Sequence, residues 1–150
     1  CIPQIDVFLE NGYTKEVEKM IEETRKILNE PNLPITATTV RVPVFNSHSE
    51  AINIELSTNF EIEDVKSILR DSDGIVVEDD INNNSYPMPI NCTDKNEVFI
   101  GRIRRDFSVT NGLNLWVVAD NIRKGAATNA IEILSYLLTN ETHSKKTLFF

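Results

Sequence analysis

The sequence predicts an α+β domain in which a mixed, largely antiparallel sheet carries its helices on one face. Apolar residues recur at helical spacing in three stretches, and short runs rich in Ile and Val lie between them. The resulting order is helix, strands, helix, strands, helix. A chain of 150 residues with 41% apolar and 25% charged residues suits one domain with a sizeable core.

The first helix is predicted from its cap and its apolar stripe. Thr14 is a suitable N-cap, Glu16 lies in the first turn where negative charge meets the helix dipole favourably, and Pro31 ends the helix. The buried stripe is predicted to contain Val17, Met20, Ile21, Thr24, Ile27 and Leu28.

Residues 35–56 are predicted to form two extended runs that meet at a bend. The first run, residues 35–44, is β-branched and contains Pro43, which cannot donate to a strand ladder. The second run, residues 51–56, alternates apolar and polar side chains. Asn46 and Ser47 supply turn chemistry between the two runs.

The sequence after residue 56 predicts a second helix, three strands and a last helix. The second helix carries an apolar stripe from Phe60 to Leu69 and closes at Gly74, a natural left-handed cap. The strands are predicted at residues 75–77, 98–103 and 113–119, with Asn111 and Gly112 as a hairpin turn between the last two.

The last helix is predicted to follow a polar, glycine-bearing junction at residues 120–125. Its apolar side is predicted to contain Ala127, Ile131, Leu134 and Leu138. Residues 139–150 are predicted to be a tail of little structure. With the helices on one face of the sheet, the opposite face must be solvated or, given the many Ile and Val residues, covered by another subunit.

The composition excludes several classes of protein. A net charge of −8 argues against nucleic-acid binding, which needs a basic stripe. No apolar run approaches the roughly 20 residues of a membrane span. Two cysteines, Cys1 and Cys92, fit a reducing compartment, so we expect a cytoplasmic protein. The chain starts at Cys1 without Met or a signal peptide, which suggests a fragment or a processed product.

Arg41 and His48 are the first candidate site residues, because they flank the predicted bend. A straight strand would separate them by about 23 Å at roughly 3.3 Å per residue, so they can share a ligand only if the chain turns. A guanidinium fork and a group that titrates near neutral pH suit an active site for an anion. The alternative is a surface Arg and a core His in an ordinary hairpin.

Glu16 and Lys19 place opposite charges on one flank of the first helix, three residues apart. The alternative to a binding role is a solvated helix face with weak ion pairs. We predict no metal site, because the two histidines are distant in sequence. No glycine-rich phosphate loop follows a strand, so no dinucleotide fingerprint is present.

Four stretches resemble the C-terminal part of bacterial aspartate-semialdehyde dehydrogenases. They are IPQID with ENGYTKE at residues 2–16, ETRKIL at 23–28, RVPV with HSEA at 41–51, and GLNLWVVADNIRKGAA at 112–127. The resemblance implies a C-terminal catalytic and dimerisation domain over residues 1–138, without its beginning, and a tail over residues 139–150. It also implies the fold of a glyceraldehyde-3-phosphate dehydrogenase-like C-terminal domain.

The resemblance implies an NADPH-dependent conversion of L-aspartyl-4-phosphate to L-aspartate 4-semialdehyde and phosphate, in lysine, threonine and methionine biosynthesis. The family binds NADP mainly through an N-terminal domain, which is missing here. It works through a cysteine in an Asn-Cys-Ser/Thr motif. Although Asn91-Cys92-Thr93 has that form, Cys92 has no His nearby in sequence, and we expect the nucleophile to lie outside this chain. The chain alone is therefore expected to be inactive.

The resemblance also implies a role for five residues. His48 is similar to the family's acid/base, and Arg41 to the arginine that grips the substrate's α-carboxylate. Glu16 matches an acidic residue that meets the substrate amine, Lys19 a lysine that helps to hold the phosphate, and Asn121 a contact to the nicotinamide cofactor.

One departure from the family pattern is Val17, which stands where a second acidic residue often follows Glu16. The resemblance further implies a homodimer formed through the sheet face. Two rival interpretations remain open. One is an N-acetyl-γ-glutamyl-phosphate reductase, and the other is a dimerisation module without catalysis.

Overall fold

The computed structural model of the chain describes residues 1–146, with side chains described through residue 139. The chain forms two compact units, of which the first is Cys1–Val44 and the second begins at Phe45. None of the described helices is long and apolar enough to cross a membrane.

The first unit is built around helix α1, Lys15–Leu28. Thr14 caps it as predicted, because its side chain accepts a hydrogen bond of 3.3 Å from the backbone N–H of Val17. The helix ends at Asn29, whose left-handed backbone lets its N–H reach the last carbonyl groups. Within the predicted stripe, Val17 is buried, whereas Ile27 and Leu28 are exposed.

The extended run predicted at residues 35–44 does not form a strand. It makes one antiparallel bridge, in which the backbones of Arg41 and Ile2 exchange hydrogen bonds of 2.8 and 3.0 Å. Pro34 and Pro43 have no N–H, so a longer ladder cannot propagate through either end of this run.

The second unit contains a four-stranded sheet. Its strands are β1, His48–Glu55; β2, Ile75–Val77; β3, Val98–Asp106; and β4, Gly112–Ala119. The order across the sheet is β1-β4-β3-β2, with β4 antiparallel to both neighbours and β2 parallel to β3. The predicted α+β class with a mixed, largely antiparallel sheet is confirmed.

The turn predicted at Asn111 and Gly112 is wrong. Gly112 already pairs with Asp106 inside the strand ladder, so the connection between β3 and β4 is the longer loop of residues 107–111. The Asp106 carboxylate accepts hydrogen bonds from the backbone N–H and the hydroxyl group of Ser108, 2.8 and 2.7 Å long, and this contact shapes the loop.

Helix α2, Ile62–Arg70, packs on one face of the sheet. Ile100, Ile103 and Leu113 are the buried centre of that layer. The residues packed around them are Phe60, Ile62, Val65, Leu69, Ile75, Val77, Val98, Leu115 and Val117. The predicted cap Gly74 does have a left-handed backbone, but the helix ends earlier, at a right-handed Asp71.

The second face of the sheet is partly covered by the chain itself. The short helix α3, Pro89–Cys92, brings Cys92 against Phe99 and Val118. Gly101 permits the close approach of Pro87, in the loop before α3, because a Cβ atom at position 101 would lie 2.5 Å from Pro87 Cδ. The face of the sheet that was expected to be either solvated or covered by a second subunit is therefore covered in part by residues of its own chain.

The last helix, α4, is Thr128–Lys146. Before it, Arg123–Ala127 forms an irregular turn with a left-handed Gly125, so Ala127 lies outside the helix in which it was predicted. Residues 139–146 are helical, which contradicts the predicted lack of structure there, while residues 147–150 lie outside the described part of the chain. The apolar residues Ile131 and Leu134 are exposed.

Candidate functional site

Glu16 and Lys19 lie side by side near the start of α1. The Glu16 carboxylate is 3.5 Å from the Lys19 ammonium group, and both side chains are open to solvent. The neighbouring acid Glu18 instead accepts a hydrogen bond of 2.7 Å from Asn11. Glu16 and Lys19 therefore present an anion and a cation together, as their three-residue spacing predicts.

Arg41 is held by its backbone and leaves its guanidinium group exposed. Its backbone bonds to Ile2 fix the position of its Cα atom. Among the described residues, no acidic side chain forms an ion pair with Arg41, so its planar donor fork is available to an anion. Arg41 belongs to the first unit and His48 to the second, and a ligand shared between them stays a prediction.

His48 and Asn121 lie at the same end of the sheet. His48 is the first residue of β1 and pairs with Ala119, the last residue of β4, and Asn121 follows two residues later. His48 is exposed, so the alternative of a core histidine is wrong. The antiparallel register thus places His48 and Asn121, which are 73 positions apart in the chain, at the same end of the sheet.

Ser47 forms the bend directly before His48. It has a left-handed backbone with φ 74°, is 5% exposed, and lies 3.4 Å by its hydroxyl oxygen from both the Pro89 carbonyl and the Thr93 hydroxyl group. A non-glycine residue adopts this backbone only when its surroundings hold it there. The predicted bend therefore exists and is anchored by a distant segment.

Asp120, directly before Asn121, is buried and is a functional candidate that sequence reasoning missed. Its carboxylate accepts backbone hydrogen bonds from Asp94 over 2.8 Å and from Ile122 over 3.0 Å. The N–H of Asp94 lowers the pKa of Asp120 below its usual value, against the opposing effect of burial. The missed signal is an aspartate between a strand and a turn, where Asx turns are common.

A polar cleft of about 350 Å³ opens at this end of the sheet. The guanidinium group of Arg123 lies 3.5 Å from the Asp94 carboxylate and donates to the side-chain oxygen of Asn96 over 3.2 Å. The cleft is lined by Asn46, Thr93, Asp94, Asp120, Ile122, Arg123, Ala127 and Thr128.

A second cleft, of about 460 Å³, lies on the sheet face opposite α2. Trp116 forms part of its wall and donates its indole N–H to the Pro87 carbonyl over 2.9 Å. The remaining lining residues are Ala51, Tyr86, Pro87, Met88, Pro89, Arg102, Arg104 and Leu115. Aromatic residues, Met and Arg are the side chains enriched in the cores of protein interfaces.

Cys92 is inaccessible, with no exposed surface. Burial raises the pKa of its thiol, and the nearby charge of Glu78 acts in the same direction. A protonated, enclosed thiol cannot attack a substrate carbonyl. Among the described residues, no three His, Cys, Asp or Glu side chains gather as metal ligands.

Comparison with known proteins places these features in a family context. The family described as semialdehyde dehydrogenase, dimerisation domain, matches residues 1–124. The aspartate-semialdehyde dehydrogenase of Aquifex aeolicus is 51% identical over 138 residues, which are 92% of this chain and 41% of that protein. The Bacillus subtilis protein of the same name is 47% identical over 138 residues, 91% of this chain and 40% of that protein.

Solved structures with a similar fold carry the same enzyme name as these relatives. Aspartate semialdehyde dehydrogenase II from Vibrio cholerae, complexed with ASA, has a TM-score of 0.86 and 46% identity, covering 92% of this chain and 40% of that one. The Candida albicans aspartate semialdehyde dehydrogenase with NADP has a TM-score of 0.61 and 25% identity, covering 82% and 40%. The chain thus spans about two fifths of the length of these relatives.

Proposed function

The chain belongs to the semialdehyde dehydrogenase dimerisation-domain family and corresponds to the C-terminal portion of aspartate-semialdehyde dehydrogenases, and from this membership we propose that it is the catalytic and dimerisation domain of such an enzyme. The proposed reaction is the NADPH-dependent conversion of L-aspartyl-4-phosphate to L-aspartate 4-semialdehyde and phosphate, for lysine, threonine and methionine biosynthesis. The observation that carries this proposal is the 51% identity, over 138 residues, to the aspartate-semialdehyde dehydrogenase of Aquifex aeolicus. A cytoplasmic location remains a prediction from the sequence.

The charges of the first unit suit this substrate, which bears one carboxylate, one ammonium group and one phosphate. Glu16 is proposed to meet the ammonium group and Lys19 the phosphate, and their separation of 3.5 Å supports a ligand with both charges. Arg41 is proposed to grip the α-carboxylate through two parallel N–H bonds, because its guanidinium group is exposed and has no acidic partner among the described residues.

At the end of the sheet, His48 is proposed as the acid/base and Asn121 as the contact to the nicotinamide of NADP. An acid/base must reach the reacting atoms, and His48 is exposed at the start of β1. Asn121 is only half-buried and follows the last residue of β4, next to the polar cleft. Hydride transfer requires acid/base and cofactor to be close together, and the pairing of His48 with Ala119 supports that arrangement.

The nucleophilic cysteine and most of the cofactor site are proposed to be supplied by the part of the enzyme that precedes these residues. Cys92 is unsuitable as a nucleophile, because it is enclosed and its pKa is raised. We therefore expect no turnover from residues 1–150 alone. The test is an assay of NADPH formation from aspartate semialdehyde, phosphate and NADP, with the intact enzyme and with this chain.

The second cleft supports a homodimer that forms through the sheet face. Tyr86, Trp116 and Arg104 line it, and such side chains dominate the binding energy of interfaces. Light scattering on the intact enzyme and on an Arg104→Glu variant tests this point, because a charge reversal within an interface core weakens association. An unchanged dimer would exclude this face.

Two rival functions are separable by experiment. An N-acetyl-γ-glutamyl-phosphate reductase acts on an acetylated amine and needs no acid there, whereas an aspartyl enzyme needs Glu16. A Glu16→Gln variant should therefore impair use of aspartate semialdehyde much more than it impairs cofactor binding, and equal effects would contradict the aspartyl role. A pure dimerisation module would associate without any turnover by the intact protein.

A further inference from the structure

We propose that residues 89–96, named here the 89–96 segment, form a positioning platform that holds His48 and Asn121 in place through their chain neighbours Ser47 and Asp120. The roles of His48 and Asn121 rest on the proposed function. The platform residues themselves touch neither substrate nor cofactor in this proposal. The inference arises because the two predicted site residues are each preceded by a buried polar residue that binds the same short segment.

The segment is itself rigidly seated. Cys92 has no exposed surface and packs with Phe99 and Val118 on strands β3 and β4. The Thr93 hydroxyl donates to the Pro89 carbonyl over 2.9 Å, and Asp94 adopts a left-handed backbone. Together these contacts fix the direction of the Asp94 N–H group, which points at Asp120.

Asp120 is the stronger of the two attachments. It is 3% exposed, and its two carboxylate oxygens accept separate backbone hydrogen bonds, from Asp94 on the segment and from Ile122 beyond Asn121. Asn121 therefore lies between two anchored residues. Hydrogen bonds to a charged acceptor are stronger than neutral ones, and in a buried position an unpaired carboxylate is costly.

Further contacts fasten the turn after Asn121 to the same segment. Asn96 accepts hydrogen bonds of 3.2 Å from the guanidinium group of Arg123 and from the hydroxyl group of Thr128. The turn that carries Asn121 is thus held on both sides of that residue, by Asp94 and by Asn96.

Ser47 forms the weaker attachment, on the side of His48. Its hydroxyl group lies 3.4 Å from both the Pro89 carbonyl and the Thr93 hydroxyl, near the upper limit of a hydrogen bond. Its left-handed backbone, φ 74°, turns the chain into β1 at His48. We therefore expect changes to the segment to disturb the function of Asn121 more than that of His48.

The first test is an Asp120→Asn variant of the intact enzyme. An amide at this position presents an NH2 group to one of the two backbone donors, so one hydrogen bond is lost without a change in size. We expect the KM for NADP to rise about tenfold while the KM for aspartate semialdehyde stays within about twofold, because displacement of a positioned contact affects only its own ligand. The matched control is Asp73→Asn at an exposed loop aspartate, which should leave both constants unchanged.

A double-mutant cycle with Asn121→Ala distinguishes positioning from general damage. If Asp120 acts through Asn121, the double variant is no worse in KM for NADP than Asn121→Ala alone. Additive losses would overturn the proposal. If Asn121→Ala leaves the KM for NADP unchanged, the proposed cofactor role of Asn121 is wrong. The platform is then tested separately, by amide hydrogen exchange. Amide exchange at Asp94 or at Ile122 must accelerate in Asp120→Asn, and unchanged exchange rates at both amides would exclude the platform.

A Thr93→Val and Thr93→Ser pair covers the case in which Asp120→Asn does not fold. Valine removes the hydroxyl group that contacts Ser47 and Pro89 and keeps the shape of the side chain, whereas serine keeps the hydroxyl group. We expect kcat to fall in the valine variant and to be restored in the serine variant. Equal kcat values in the two variants would overturn the Ser47 attachment.

Discussion

The indole N–H of Trp116 and the carbonyl oxygen of Pro87 are joined by a hydrogen bond of 2.9 Å, which ties the central strand β4 to the loop that lies over the second face of the sheet. The loop lies close to the strands because Gly101 has no side chain. This bond and the burial of Cys92 together explain why one end of that face is closed by the chain itself.

Removal of the indole donor should loosen the loop. A Trp116→Phe variant keeps an aromatic ring but loses the bond to Pro87, and we expect the free energy of unfolding to fall by at least about 1 kcal/mol. Urea denaturation followed by circular dichroism measures the change. Tyr86→Phe is the matched control, since the Tyr86 hydroxyl has no hydrogen bond among the described residues. A loss of equal size in both variants would contradict a specific role for the indole N–H.

Lys66 of α2 and Asp79 form a largely buried ion pair, with Nζ and Oδ2 3.0 Å apart and only 17% and 4% of their side chains exposed. Removal of one partner leaves the other charge uncompensated in the interior. We therefore expect Lys66→Met to lower the free energy of unfolding by about 3 kcal/mol. The double variant Lys66→Met with Asp79→Asn should recover a substantial part of that loss in a denaturant titration. A double variant that is less stable than the single one would refute the pairing argument.

The two cysteines should differ sharply in reactivity. Cys1 is exposed, whereas Cys92 is enclosed and burial raises the pKa of its thiol. In the native chain at pH 7 to 8, iodoacetamide should therefore modify Cys1 and leave Cys92 unmodified, with both modified after unfolding in guanidinium chloride. Peptide mass spectrometry distinguishes the sites. Rapid native labelling at Cys92 would mean that α3 opens easily.

Acid should destabilise the fold partly through Asp106. Hydrogen bonds from the side chain and the backbone of Ser108, and then from Asn53, lower the pKa of Asp106 below the ordinary value of 3.8. A lowered folded-state pKa contributes stability that is present above about pH 3.8 and is lost as the pH falls through the lowered value.

An Asp106→Asn variant should therefore show a shallower decline of the melting temperature below that pH than the unchanged chain shows. Thermal unfolding between pH 2 and pH 6, followed by circular dichroism, measures both slopes. Asp73→Asn, at an exposed position, should retain the original slope. Parallel curves for Asp106→Asn and the unchanged chain would rule out this contribution.

The acid/base role of His48 is testable in the intact enzyme. His48→Asn should lower turnover by roughly 10²–10⁴-fold, the range typical of a lost general acid or base. Its effect on stability should be small, because His48 is exposed. Steady-state kinetics and a melting curve on the same sample provide the two readings. Near-normal turnover would make His48 a structural residue.

Local patterns in the sequence predicted local structure well. Thr14 caps α1 and the apolar stripe of α2 packs on the sheet, because a cap and an amphipathic period depend on residues three or four positions apart. The motif residues around Glu16, Arg41, His48 and Asn121 also sufficed to identify the family. The extent of β1 was predicted less well, because its first residues are strand only through pairing with β4.

The sequence by itself determined the fold class, the family and the charges available to a ligand at Glu16, Lys19 and Arg41. Only the tertiary structure decided that His48 and Asn121 share one end of the sheet and that Ser47 and Asp120 bind one segment. The physical reason is range: a helix period or a cap is encoded within one turn, whereas the partner of a buried carboxylate such as Asp120 is a backbone amide 26 residues away, whose position exists only after the sheet has formed.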